Sequence, residues 1–485
     1  MDTLKKIAII IGIAAVLYGA IPLFGRGYIP THDGEYHILR IVEFAKMLGR
    51  GYVVPRWAPD LNSGYGIPIF NYHYPLPNYI GSFVRVFTRD AVIAFQMSQG
   101  IGYTLIAAGA YLWLAALFGT FPAIIGAVVT AFVPYLFVDV YVRGSIGEVW
   151  ATAFLLFTLF ALEKKKYVRF AIFYGLLILS HNILAMLFTP FILGYALIRN
   201  KKAVIWMLGG IGISSFFWIP AILESKYVVG LNTVNFREHF VELYQLLIPS
   251  WGTEFSGSGF GKAMSVQIGL APILVVAGAL FAGRKHKDKV FMYMLVVLTA
   301  CIFFMLPVSE PVWEVLPPLQ LIQYPWRFLS FVMPVAGFSA AFWVSRMKHK
   351  WWGLLLAVVS VALAASYARP VLYAPRNEAY YLSRPNFTRG TSSMGNSFST
   401  IWSGWKDTPA TVSSTLYFPG WKAYVGGKEV PIVNDHGVIR VAPGEGEAPV
   451  LRFGETPLRA LADIISVVSL GALLFYAYRN RHHTA

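Results

Sequence analysis

The densest group of polar side chains in this chain is Thr31-His32-Asp33-Gly34-Glu35-Tyr36-His37. Two carboxylates two positions apart between two imidazoles suit general-base work on a hydroxyl, or the holding of a cation. The competing reading is structural. An apolar stripe follows (Ile38, Ile41, Val42, Phe44, Ala45, Leu48) with Arg40, Glu43, Lys46 and Arg50 opposite. That pattern predicts an amphipathic helix lying flat at a membrane surface, with Asp33 near its N-cap.

Further groups recur along the chain. Pro55-Arg56-Trp57-Ala58-Pro59, Gly64-Tyr65-Gly66 and Phe70-Asn71-Tyr72-His73-Tyr74-Pro75 combine enforced turns with clustered aromatics. Such surfaces bind sugar rings and equally populate the aromatic belt at a membrane interface. Asp139 and Glu148 flank Arg143, which suits either bidentate phosphate binding or a local ion pair with Glu148. His181-Asn182 interrupts a long apolar stretch, as a helix end or as a ligand pair. Trp326-Arg327 opens another apolar segment, where the arginine either meets a phosphate or snorkels to headgroups. No P-loop, no dinucleotide-binding glycine motif and no Gly-x-Ser-x-Gly occurs, which argues against ATP-driven transport by this chain alone and against α/β-hydrolase chemistry.

The elements that must position these groups follow from composition. In 485 residues, 56% are hydrophobic and 13% charged, where soluble domains average about 25% charged. A water-soluble enzyme and a disordered chain are excluded, and a polytopic helical membrane protein is predicted. Twelve apolar segments qualify as spans: 7–24, 91–117, 121–138, 149–162, 168–180, 183–198, 203–222, 268–283, 290–306, 328–345, 351–367 and 459–478. The first is read as an uncleaved span rather than a signal peptide. The single cysteine, Cys301, rules out a disulfide framework within one chain.

The net charge of +16 has its explanation in the loops. With both termini placed in the cytoplasm, the inner segments collect Lys5, Lys6, Lys164 to Lys166, Arg169, Arg199, Lys201, Lys202, Arg284, Lys285, Lys287, Lys289, Arg346, Lys348, Lys350, Arg479 and Arg481. The two short outer loops hold only Arg143 and Arg327. This is the cytoplasmic bias of a plasma-membrane protein, with no basic stripe for nucleic acid. The polar clusters then all face outward. Three outer segments are large: 25–90, 223–267 and 368–458. In the last, Thr411 to Tyr417, Val430 to Val433 and Val438 to Val441 read as strands and Gly426-Gly427 as a hairpin turn, predicting a small extracytoplasmic β-sandwich.

The order of these motifs resembles one bacterial and archaeal family, the 6-pyruvoyl-tetrahydropterin synthase-related membrane proteins. The resemblance rests on His32 to His37, Pro55 to Leu61, Gly64 to Gly66, Tyr141 to Gly144, Ser180 to Asn182, Phe216 to Pro220 and Tyr324 to Arg327. The chain is also similar to the YfhO-like branch of the GT-C glycosyltransferases, including Tyr417 to Trp421 and Gly427 to Val430 in its tail. A soluble zinc-histidine pterin enzyme would have no need of twelve spans, so the pterin name finds no support in the composition.

The resemblance implies a GT-C-like fold. Residues 1–222 would form a transmembrane module with a catalytic first outer loop, 223–367 a variable transmembrane module, 368–458 the β-rich domain and 459–485 the last span and tail. It further implies transfer of a sugar from a polyprenyl-phosphate donor to a saccharide, lipid or protein acceptor. The catalytic acid falls on Asp33, with Glu35 second. Arg143 and Arg327 would hold the carrier phosphate, and His32, His37, Arg56, Tyr72, His73, Asp139, Glu148, His181, Asn182 and Trp326 would complete the substrate site. A divalent ion, if used, would fall to Asp33, Asp139 and Glu148. The rival readings are a transporter or flippase of lipid-linked saccharide and a non-catalytic glycan-assembly scaffold.

Overall fold

A computed structural model describes residues 2–25, 27–230, 234–284, 288–384, 387, 390, 392–393, 396–402, 414–441 and 448–482. The twelve apolar segments are mostly helical, with breaks at Phe132-Val133 and Ser214. Among the described residues six helices are long and apolar enough to cross a bilayer alone: Thr3–Phe24, Ala91–Phe118, Ile146–Glu163, Asn182–Arg199, Pro325–Arg346 and Pro457–Asn480. Three further apolar helix pairs are bent, as in a broken span or a re-entrant loop: Thr120–Ala131 with Pro134–Arg143 at 51°, Ala203–Ile213 with Ser215–Leu223 at 71°, and Lys289–Met305 with Pro307–Val315 at 88°. Tyr167–Ser180, Leu270–Gly283 and Trp351–Tyr367 are shorter apolar helices. Prolines 134 and 307 stand at the start of the second limb of their pairs, where a missing N–H costs nothing and the ring stops the preceding helix.

The chain packs as two compact units, each assembled from separate stretches. One comprises Met1–Glu35, Phe95–Ile211 and Asn235–Pro375, the other Tyr36–Ala94, Gly212–Val234 and Arg376–Ala485.

In the first unit, the helices on either side of His181 form a hairpin. His181 is extended (φ −164°, ψ 119°), which breaks the helix between Ser180 and Asn182. At the far ends the basic flanks lie together. Arg199 pairs with Glu163, whose carboxylate also accepts from the Tyr195 hydroxyl at 2.7 Å, and Trp113 donates to that hydroxyl at 3.0 Å. One hydrogen-bonded chain thereby joins three spans at the edge of the apolar zone, where polar groups find water or each other.

In the second unit, the helix Gly34–Gly49 corrects an expectation. Its Ile38, Ile41 and Phe44 are buried, but so are Arg40 and Glu43, at 7% and 3% exposure. The polar face is therefore covered at Arg40 and Glu43, while Lys46 is part-exposed and Arg50 exposed. Glu43 accepts from the Asp60 amide at 2.9 Å, and Arg40 meets the ring of His73 at 2.7 Å. The periodicity was sound, but a helix with neighbours on both faces does not lie flat on a surface.

Among the described residues the tail of the second unit holds five short strands: β1 Trp421–Val425, β2 Lys428–Val430, β3 Ile432–Asp435, β4 Val438–Val441 and β5 Val450–Phe453. They form two small antiparallel sheets, β2-β1-β5 and β3-β4. Gly426 and Gly427 make the expected two-residue hairpin turn, with φ of +56° and +79° and Val425 opposite Lys428. The strand expected over Thr411 to Tyr417 falls partly on described residues, and 414–417 do not form one. Residues 411–413 lie outside the described residues, and Leu416 makes only an isolated bridge to Val438. Arg459, fully buried at the start of the last long helix, ties the sheets to it by donating to Glu224, Gly454 and Pro419.

Candidate active site

The site in the first unit is built on the turn between two spans. The helix of Pro134–Phe137 widens into a π-helical turn over Val138–Arg143, which Gly144 ends in the left-handed region, φ +68°. Such widened turns re-aim side chains and recur at functional sites. The next span starts at Ile146, so Glu148 occupies its first turn, where the helix dipole favours a carboxylate.

This geometry gathers a buried charge network. Arg143 Nη2 donates to Glu148 Oε1 at 2.8 Å, and its Nη1 pairs with Asp139 and donates to the Tyr135 hydroxyl at 3.2 Å. Tyr135 in turn donates to Glu148 Oε2 at 3.1 Å. Arg327 Nε reaches Glu148 Oε1 at 3.1 Å, and its Nη1 donates to the Ile322 carbonyl at 2.6 Å. His181 Nδ1 accepts from the Leu184 amide at 3.1 Å, capping the following helix. Its other nitrogen is thereby protonated, and it faces Glu148 at 4.0 Å. Asn182 opens that following helix. Two guanidinium groups meet two carboxylates, so formal charge balances inside the protein. The ion pair between Arg143 and Glu148 is present, and Arg327 is paired rather than snorkelling.

Against this network stands a wall of rings. Arg143 lies 4.6 Å from the centroid of Trp326 and Arg327 lies 4.8 Å from that of Tyr324, while those two rings stack 4.8 Å apart. Phe255 and His239 extend the wall, at 5.6 Å and 4.8 Å from Tyr324. His32 closes it, 5.8 Å from Phe255, with Nε2 2.8 Å from the Thr253 carbonyl. Burial holds the His239 imidazole below its ordinary range, and its Nδ1 lies 2.9 Å from the Ser256 hydroxyl.

Asp33 is carried to the edge of this network by the backbone. The amides of His32 and Asp33 donate to the carbonyls of Val142 and Arg143, at 3.0 Å and 2.8 Å. Asp33 precedes the first helical residue but does not cap the helix. The Thr31 hydroxyl accepts from the Gly34 amide at 3.2 Å instead. Among the described residues the Asp33 carboxylate has no hydrogen-bond or ion-pair partner, and it is part-exposed. It is close enough to Tyr324 to act on it. Burial pushes that hydroxyl up, Arg327 pulls it down, and the Asp33 charge pushes it up. Glu35 lies in the first turn of the same helix.

The remaining residues named from the sequence lie in the second unit. Arg56 is buried and has its donors engaged by Glu455 at 2.9 Å, Asp463 at 3.0 Å and the Phe216 carbonyl at 3.1 Å. Tyr72 is a core residue, donating to the Glu224 carbonyl at 2.7 Å and stacked on Phe398. His73 lies between Arg40 and Asn78, with the His37 ring 5.7 Å away. Sequence reasoning missed Tyr135, which sits in an apolar span, and His239 and Phe255, which sit in a long loop without periodicity. Tyr324 was visible in its motif, beside the two residues chosen.

The acids named for a cation do not form a ligand set. Among the described residues no three His, Cys, Asp or Glu side chains come together, and Asp139 and Glu148 are held by arginine. That donor arrangement does not fit a divalent ion.

Fold and site thus define a multi-pass helical membrane protein with a small β-sheet domain. The chain belongs to the family described as 6-pyruvoyl-tetrahydropterin synthase related domain, membrane protein, whose model matches residues 70–372. No curated protein matches it. Among solved structures it is similar to the arabinofuranosyltransferase AftD from Mycobacteria (15% identity, TM-score 0.48, covering 76% of this chain and 28% of that one). It is also similar to the oligosaccharyltransferase of Archaeoglobus fulgidus (15%, 0.43, 81% and 61%) and to ArnT from Cupriavidus metallidurans (13%, 0.40, 75% and 64%). The chain spans less than two thirds of the length of each.

Proposed function

We propose that this protein is an integral-membrane glycosyltransferase, moving a sugar from a polyprenyl-phosphate donor to an acceptor hydroxyl on the extracytoplasmic face. The observation that carries the reading is the placement of Asp33: a part-exposed carboxylate without a described partner, pinned by its own amide to the loop that bears Arg143. The cytoplasmic bias of the basic loops supports the outward-facing site.

In the mechanism, Asp33 accepts the proton of the acceptor hydroxyl as that oxygen bonds to the anomeric carbon. The bond from that carbon to the phosphate oxygen breaks, and its electron pair leaves on the lipid phosphate. A preformed phosphate leaving group requires no nucleotide, in keeping with the missing nucleotide motifs. Arg327 is the group we assign to the departing phosphate, because its guanidinium lies 4.8 Å from the centroid of the Tyr324 ring, whose hydroxyl feels the Asp33 charge. Arg143 acts through it, holding Asp139 and Glu148 so that Arg327 keeps its place. The wall of Tyr324, Phe255 and His239 offers ring faces to a sugar. The charged residues stand at span ends, which fits surface chemistry better than a translocation path near mid-membrane.

The test is reconstitution of the full chain in proteoliposomes with a panel of labelled polyprenyl-phosphate sugars and mixed acceptors. Transfer of label with release of polyprenyl phosphate supports the proposal. Movement of intact lipid-linked sugar across the bilayer without transfer would establish the flippase reading in its place.

A further inference from the structure

A groove lies at the opposite, basic end of the spans in the first unit. The helices Leu270–Gly283, Pro325–Arg346 and Trp351–Tyr367 enclose an open apolar groove of about 530 Å³, lined by Leu274, Trp343, Trp352, Leu355 and Val359. One end of it is formed by Lys348 and His349, in the short connection between the last two helices. From Trp352 to Val359 the wall runs about 10 Å along the helix, roughly the depth of the upper part of one lipid chain.

The four basic residues of that connection divide by what they do. Lys350 donates to the carbonyls of Val344 and Ser345 at 3.0 Å and 2.9 Å, closing the C-terminal end of the preceding span. Arg346 lies 3.4 Å from the Phe342 ring centroid and 3.9 Å from Asp288. Lys348 and His349 are exposed and, among the described residues, their side chains have no hydrogen-bond or ion-pair partner. Trp351 and Trp352, stacked at 3.8 Å and each 47% exposed, mark the level of the membrane–water interface.

We propose that this groove binds a phospholipid with an anionic headgroup, its phosphate at Lys348 and His349 and one acyl chain along Trp343, Trp352 and Leu355. Charge complementarity selects the headgroup. A zwitterionic lipid would bring its own cation towards Lys348, whereas phosphatidylglycerol brings only negative charge. The apolar wall selects a lipid over a free anion, since inorganic phosphate would leave the groove unfilled. This site is independent of the proposed transferase activity.

The experiment is native mass spectrometry on the delipidated full chain in detergent, titrated with phosphatidylglycerol or phosphatidylcholine. One phosphatidylglycerol is expected to be retained about tenfold more strongly than phosphatidylcholine. The double variant K348E/H349E should abolish the preference, and Leu355→Trp, which fills the groove, should weaken retention. Both variants should keep the thermal transition of the parent, because all three positions are exposed. Inorganic phosphate at millimolar concentration should not displace the lipid. Equal retention of both lipids, unchanged retention in both variants, or displacement by phosphate alone would overturn the proposal.

Discussion

The amide of Asp33 donates to the carbonyl of Arg143 over 2.8 Å, joining two loops separated by 110 positions in sequence. Arg143 directs its side chain inward to Glu148 and Asp139, while Asp33 keeps its carboxylate outside the network. One peptide contact thus sets a candidate base beside a buried, charge-balanced cluster without neutralising it.

If Asp33 is the base, Asp33→Asn should lower transfer by about 10²-fold or more while leaving the unfolding transition in place. The side chain has no described partner, so its loss breaks no contact. Glu35→Gln, measured in the same proteoliposome assay, should have the smaller effect. Full activity in Asp33→Asn would remove the residue from the mechanism.

Glu148 is the shared acceptor of Arg143, Arg327 and Tyr135 and is fully buried. Glu148→Gln leaves two buried guanidinium groups against one carboxylate. A loss of about 3–5 kcal/mol is expected, read as a lowered midpoint in detergent-solubilised thermal unfolding. The comparable change at exposed Glu429, paired with Lys422, should cost less than about 1 kcal/mol.

Gly144 combines φ +68° with an approach in which an added Cβ would stand 2.3 Å from Thr31 Oγ1 and 3.3 Å from the Gly34 amide nitrogen. Gly144→Ala therefore strains the turn and pushes away the segment that carries Asp33. A stability loss of about 1–3 kcal/mol is expected, with a larger proportional fall in transfer. A variant with parental activity would show that the two loops need not touch.

Glu43 offers a pH test in the second unit. Burial, helped by the nearby Asp60 charge, pushes its carboxyl up to about 7. Between the ordinary range near 4.5 and 7 the folded state binds the proton that the unfolded state has released, so stability falls as pH rises through that window. The full difference is roughly 3 kcal/mol. Glu43→Gln can still accept from the Asp60 amide, and it should be more stable than the parent at pH 8 and nearly equal to it at pH 4. A difference that does not vary with pH would contradict the assignment.

Local patterning carried much of this protein in its sequence. Hydropathy located every helical segment in the apolar series, because a span is a property of about twenty consecutive side chains. Glycine pairing located the hairpin at Gly426-Gly427 for the same reason: the turn needs only its own two residues. The clusters around Asp33, Arg143 and Arg327 were legible as costly charges beside apolar runs.

What the tertiary structure alone decided was partnership. Nothing local tells Arg327 that its carboxylate is Glu148, 179 positions earlier, or tells Arg56 that it pairs with Glu455 and Asp463. Nor does the amphipathic period of Gly34–Gly49 reveal that Arg40 and Glu43 on its polar face are also covered. A buried charge must find a counter-charge, and the sequence states that need. Which one it finds depends on which spans pack together, a long-range outcome that no periodicity encodes.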